Sequence, residues 1–262
     1  MQADVTHFSM IGFPMDGTNA GVNALVSKQI SRCAPKPISE ADIACAVHDN
    51  SGAEIWISLH KRPDGKTEFV TLNPAFAGEG RVKLHIDGDN SDPEWTPFEV
   101  SRAARFSGEA TPIIFDLADP TQAAGTGPGT DVTVAISAFS YQPSLYEDAT
   151  AYYAAQKKAG SKVLMGAESF IPSGMFFAKA GGAMPDDAKR PRAYADLAGT
   201  VVKAKLLTNA AGGAPFWSVL TKTYGGATVD IVIDPASIKV EPKPGNIITG
   251  RFWLSGRIVP AS

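Results

Sequence analysis

The last strand of the chain decides the fold that we expect, and it reads Ile247-Ile-Thr-Gly-Arg-Phe-Trp-Leu-Ser-Gly-Arg-Ile-Val259. Most of this stretch is apolar, β-branched or aromatic, which is typical of a β-strand. Gly250 and Gly256 interrupt it, and glycines inside a strand mark bulges or bends that let a small sheet curl. The stretch therefore predicts a long strand that is bent at two points.

Four more strands are predicted upstream of it, because short apolar runs alternate there with joints rich in Gly, Pro, Asn and Asp. These runs are 197–208, 216–224, 227–234 and 238–241. Five strands within 195–260, with glycines bending the last one, resemble a small oligonucleotide/oligosaccharide-binding barrel (OB-fold). The sequence departs from that fold in leaving little room for the helix that usually follows the third strand.

The OB-fold resemblance implies a ligand face of basic and aromatic side chains, because cations follow phosphates and rings stack on bases. The same residues are also explained by packing of the barrel against the rest of the chain, and we favour this explanation over nucleic-acid binding. The candidate ligand-binding residues are Lys203, Lys205, Trp217, Tyr224, Arg251 and Trp253.

Charge is distributed unevenly along the 262 residues, whose net charge is −3. Residues 1–178 contain 13 Lys and Arg against 21 Asp and Glu, whereas residues 179–262 contain 11 against 6. A basic end on an acidic body indicates either an anionic partner or attraction between two modules. The sequence leaves both alternatives open.

The rest of the chain predicts an α+β, β-rich fold, with one or two helices packed on antiparallel sheet. Helical spacing of apolar residues predicts a helix over 18–32, and a capping box of Ser144 and Glu147 predicts another over 145–159. A polar stretch with Pro and Gly, 181–192, is a candidate linker. We therefore expect a β-rich α+β domain at 1–185 and the small five-stranded, OB-like β-barrel at 193–262.

A second resemblance lies at the N-terminus, where strand, helix and hairpin follow one another over 5–72. This order is similar to the βαβββ module of the vicinal-oxygen-chelate (glyoxalase/bleomycin-resistance) group. The resemblance implies a divalent metal held by His7 and Glu54. A complete site needs further ligands, for which His60 and His85 are candidates, although exposed strand positions explain them equally well.

Several patterns point to ordinary structural roles. Cys33 and Cys45 are read as small buried residues in a reducing compartment. Asp116 and Asp119 are read as turn-forming residues rather than as a catalytic carboxylate pair. No secretory leader, membrane-spanning run or cofactor motif is recognisable, so we expect a cytoplasmic protein with no cofactor and no membrane contact.

The sequence leaves open whether the protein is an enzyme, which ligand it binds and how many copies associate. The favoured hypothesis is a non-catalytic binding or accessory protein whose basic C-terminal barrel contacts an anionic ligand or a protein partner. The alternative is a metal-dependent enzyme of the vicinal-oxygen-chelate type, centred on His7 and Glu54. A third hypothesis is a purely structural interaction protein, a class that has no recognisable sequence motif.

Overall fold

Strands dominate the computed structural model, which describes residues 5–92, 97–173 and 191–260. Two α-helices lie in these ranges, α1 (Asn19–Gln29) and α2 (Ala149–Lys158). The predicted β-rich α+β class is therefore confirmed. Within the same ranges, we find no helix that combines the length and the hydropathy needed to cross a bilayer.

The first sheet is an antiparallel meander of four strands in chain order. Its second and third strands form the predicted hairpin, in which His48 lies opposite Glu54. Gly52 closes this hairpin with a φ of +88°, a conformation that glycine adopts without steric cost. The strands are β1 (Ala34–Pro37), β2 (Asp42–His48), β3 (Ala53–Lys61) and β4 (Thr67–Phe76).

The second sheet contains ten strands in the order β10-β11-β12-β13-β8-β5-β6-β7-β14-β9, with additional β11–β14 and β8–β14 pairings. Their bounds are β5 (Val82–Asp89), β6 (Ser101–Phe106), β7 (Pro112–Leu117), β8 (Asp131–Phe139), β9 (Ser144–Tyr146), β10 (Ser169–Pro172), β11 (Tyr194–Thr208), β12 (Pro215–Lys222), β13 (Thr228–Ile233) and β14 (Ile247–Val259).

The C-terminal segment contributes four strands, β11 to β14, rather than the five that were predicted. The run 238–241 is not a strand, because it lies between the 3₁₀ turn Pro235–Ser237 and two prolines, Pro242 and Pro244, that have no N–H to donate to a ladder. The predicted set of five C-terminal strands is thus wrong in its fourth member.

Strand β14 connects the C-terminal segment to the rest of the chain. It pairs with β11 along 247–253 and with β8 along 254–259. The strands β11, β12, β13, β8 and β14 pair in a closed circuit, because β14 pairs again with β11. One of these five strands, β8, belongs to the predicted 1–185 domain. The division into 1–185 and 193–262 stays a prediction, and most of the linker candidate, 181–190, lies outside the described residues.

Two local predictions near the helices are wrong. Residues 5–13 form no strand but a 3₁₀ turn at Ser9–Ile11, which Gly12 ends with a φ of +74°. The cap of helix α2 is Asp148, four residues after the predicted cap Ser144, and its carboxylate accepts the Ala151 N–H at 2.8 Å. Ser144 belongs instead to β9, which pairs with β14.

The two sheets pack face to face through a shared apolar layer. Ile55 and Ile57 of β3 belong to the same buried cluster as Phe139 and Phe216 of the larger sheet. The rings of Phe76 and Phe216 meet edge to face across the layer, with centroids 5.7 Å apart. This packing brings the ends of β4, β7 and β14 close together.

Cys33 and Cys45 form a disulfide, so the prediction of two reduced cysteines is wrong. The bond joins the segment after α1 to β2, and the two Cα atoms lie 5.3 Å apart. Spacing alone did not reveal the bond, because the twelve-residue separation suits many arrangements. The two sulfur atoms come together because the folded chain places the segment after α1 beside β2.

Reducing this disulfide should lower the free energy of unfolding by about 3 kcal/mol, the loop-closure contribution for a loop of this size. Urea unfolding with and without a phosphine reductant measures the difference. The control is the double variant Cys33→Ser/Cys45→Ser, which should be insensitive to the reductant. Equal stability of the wild-type protein in both conditions would contradict this prediction.

Candidate functional site

A cavity of about 170 Å³ lies where the two sheets meet. One wall comes from Asn73 at the end of β4, and another comes from Asp116 at the end of β7. Trp253 and Ser255 of β14 complete it, since alternate residues of a strand face the same side. Glu99, in the connection before β6, adds a second carboxyl group.

Burial disfavours the ionisation of both carboxyl groups of the cavity. Burial raises the pKa of Glu99, and the neighbouring Asp116 charge raises it further. Burial also raises the pKa of Asp116, although the Trp253 indole N–H donates to its Oδ2 at 2.6 Å. Two acids that resist ionisation in one cavity create a place where a positive charge is favourable.

Trp253 is held in place by a stack of rings. His7 lies parallel to it with a centroid distance of 5.1 Å, and Tyr141 covers the other side of His7 at 4.6 Å. Phe139 contacts the indole at 5.0 Å. Burial lowers the pKa of His7 to about 4, so its imidazole is neutral at pH 7 and contributes no charge beside the cavity.

Two neutral polar side chains of the cavity have no partner within the part of the chain that the structure describes. The Ser255 hydroxyl belongs to a residue that is only 3% exposed, yet it forms no hydrogen bond there. The Asn73 amide is half-buried and is equally free. Both groups are therefore open to hydrogen bonds from a polar ligand or from water.

The predicted basic residues lie apart from this cavity. Lys203 Nζ contacts both carboxylate oxygens of Glu79 at 2.7 and 2.8 Å, and Lys205 Nζ lies 3.8 Å from the same side chain. Arg251 instead stacks on Tyr194, opposite Asp196. Seven residues of β11 separate positions 196 and 203, which corresponds to roughly 23 Å along a strand.

The three predicted aromatic ligand residues also separate. Trp217 packs half-buried against the core of the larger sheet. The Tyr224 hydroxyl accepts a hydrogen bond from Thr111 at 3.3 Å, and its ring contacts Phe106. Of the six residues predicted to bind a ligand, Trp253 alone lines the cavity between the sheets.

The predicted metal ligands His7 and Glu54 have different neighbours. His7 belongs to the ring stack, whereas the buried Glu54 carboxylate contacts His48 at 2.8 Å and accepts the Trp56 indole N–H at 3.3 Å. Arg257 also forms an ion pair with Glu54. No group of three or more metal-ligating side chains is found in the described ranges.

His60 and His85 each face a carboxylate directly across a strand pair. His60 Nδ1 lies 2.8 Å from Asp42, and His85 Nδ1 lies 2.8 Å from Asp131. His85 also lines a shallow surface groove of about 380 Å³ together with Arg105, which pairs with Asp87. The charged groups named there already have partners, so this groove is the weaker candidate.

Sequence reasoning missed Glu99, Asn73 and Ser255 and assigned Asp116 to a turn. Asp119 does form a turn, since its carboxylate accepts the Thr121 N–H at 3.0 Å. The signal for the others was weak, because Glu99 is a single acid between two apolar residues. Nothing local indicates that it reaches Asp116.

Comparison with known proteins yields no match to any protein-family model and no significant match to a curated protein. The functional conclusion therefore comes from the cavity itself.

Proposed function

We propose that this protein is a non-catalytic binding protein that takes a small organic cation into the cavity between its sheets. The observation that carries this proposal is the pair Glu99 and Asp116, whose pKa values are both raised in a cavity with free polar groups. A bound cation offsets the desolvation of both carboxylates and their mutual repulsion.

The earlier hypothesis of a basic face for an anionic ligand has less support. Lys203 and Arg257 contact Glu79 and Glu54, which belong to the acidic part of the sequence. These ion pairs favour the other explanation of the charge asymmetry, attraction between the two segments. If an anionic partner does bind the C-terminal segment, Arg251, whose guanidinium stacks on Tyr194, is the residue that we propose for the contact.

The metal-enzyme alternative at His7 and Glu54 stays a prediction, and elemental analysis of the purified protein tests it. The Cys33–Cys45 disulfide favours an oxidising compartment over the expected cytoplasmic location. Alkylation of free thiols in protein taken directly from its source, followed by mass spectrometry, distinguishes the two locations.

Calorimetric titration with butylammonium tests the proposed function. We expect saturable binding near pH 8 that weakens as the pH is lowered, because raised carboxyl pKa values let protons compete with the cation at a higher pH than at ordinary carboxyl groups. His7, with a pKa of about 4, stays neutral at pH 7 and above. Absence of binding at every pH would refute the proposal.

A further inference from the structure

We propose that the ligand of this cavity is a primary alkylammonium group, an inference that rests on the proposed cation-binding function. A primary ammonium has three N–H donors and no acceptor, whereas a quaternary ammonium has no donor at all. The cavity offers acceptors on Glu99, Asp116 and Ser255, and the Asn73 carbonyl adds another. These four groups supply enough acceptors for a head that donates three hydrogen bonds.

The hydroxyl of Ser255 distinguishes this ligand from other cations. It belongs to a residue that is only 3% exposed, and it has no partner within the described ranges, so a ligand N–H can reach it without breaking an existing hydrogen bond. A methylated ammonium would displace water from Ser255 and Asn73 without replacing its hydrogen bonds.

Trp253 does not form an aromatic cage for a quaternary ammonium. Such cages present ring faces to the cation. The indole here is stacked against His7 and contacts Phe139, while its N–H donates to Asp116. Its contribution is to orient the Asp116 carboxylate, which makes it a positioning residue.

The remaining wall of the cavity suits a short alkyl chain. Phe98 and Leu117 are buried apolar residues that line it, together with Pro74 and Ala118. A volume of about 170 Å³ has room for several water molecules. An ammonium group on a chain of about four carbons therefore fits.

A divalent metal matches the cavity less well than an ammonium group. Calcium takes six to eight oxygen ligands and magnesium requires octahedral geometry. Two carboxylates, one hydroxyl and one amide carbonyl supply at most six oxygens, even when both carboxylates are bidentate, and six is the lower limit of calcium's range. In addition, no cluster of three metal-ligating side chains occurs among the residues described.

The test compares butylammonium, tetramethylammonium, n-butanol and calcium ions in calorimetric titrations of the full chain near pH 8. Butylammonium should bind at least about tenfold more tightly than each of the others, because charge-assisted hydrogen bonds are strong. Tighter binding of tetramethylammonium or calcium would overturn the ligand class and leave the proposed cation site intact. No binding of any cation would refute the proposed function itself.

A serine variant provides the second readout. Ser255→Ala should weaken butylammonium binding roughly three- to tenfold and leave tetramethylammonium affinity unchanged, because only the primary ammonium donates to the hydroxyl. The matched control is Ser237→Ala, since the Ser237 hydroxyl is also buried without a partner but belongs to the turn Pro235–Ser237. An unchanged butylammonium affinity in Ser255→Ala would contradict the proposed contact.

Discussion

Replacing Asp116 with asparagine should weaken butylammonium binding by at least about tenfold and, at neutral pH, make the free protein more stable. The binding loss follows from removing a charge-assisted acceptor. The gain in stability follows because burial raises the pKa of Asp116, so keeping this carboxylate ionised costs free energy in the folded state. Asparagine can still accept the Trp253 N–H, which preserves the local geometry.

The stability gain of Asp116→Asn depends on pH. A carboxyl group with a raised folded-state pKa stabilises the protein when protonated, and this contribution disappears as the pH rises through the raised pKa. The advantage of Asp116→Asn should therefore grow as the pH rises above the ordinary aspartate pKa of about 4 and level off once the pH exceeds the raised pKa of Asp116. Urea unfolding across this range measures it.

Glu99→Gln should act in the same direction, since burial and the Asp116 charge both raise the pKa of Glu99. The matched control is Glu40→Gln, which removes an exposed glutamate and should change neither affinity nor stability. If Asp116→Asn lowers stability and leaves butylammonium affinity unchanged, Asp116 serves as a structural acceptor for Trp253 and the cation-binding role is wrong.

Replacing Arg102 with methionine should destabilise the protein by about 3–5 kcal/mol, because several buried carbonyl groups lose their charged donor at a cost of about 1–3 kcal/mol each. Arg102 is 5% exposed, and its guanidinium donates to Thr126, Ser101 and Ala123. It also pairs with Asp89 at 3.1 Å. Loss of the Arg102 guanidinium leaves carbonyl groups of the 120–126 turn without a hydrogen-bond donor.

The control for this variant lies on the same strand. Arg105→Met removes a half-exposed arginine that pairs with Asp87 at the surface, and it should cost less than about 1 kcal/mol. Urea unfolding of the two variants gives the comparison. Ser101 of β6 lies opposite Asp116 of β7. A loss below about 1 kcal/mol for Arg102→Met would show that the hydrogen bonds of Arg102 do not hold β6 in place.

Local patterns predicted much of the secondary structure, because their causes are local. The order of helix and hairpin within 5–72 was enough to predict the β2–β3 hairpin, and helical spacing was sufficient for α1. The partners of β14 were not predictable in this way. Its second half pairs with β8, more than one hundred residues away, and no local feature of either strand specifies that contact.

The site was harder to predict than the fold, because its parts come from four separate stretches. Asn73, Glu99, Asp116 and Ser255 each look ordinary in their own surroundings. Their significance comes from enclosure, which raises carboxyl pKa values and leaves polar groups unpaired. Trp253 was predicted to bind a ligand for a different reason, stacking, whereas here its N–H orients a carboxylate.

The most direct test of the cation site is a titration of ¹⁵N-labelled protein with butylammonium, followed through the indole N–H signals. The chain has four tryptophans, and Trp253→Phe identifies the signal of Trp253. Because its indole N–H donates to Asp116, we expect that signal to shift saturably while the signals of Trp56 and Trp217 stay in place. A Trp253 signal that does not move at saturating butylammonium would contradict cation binding in this cavity.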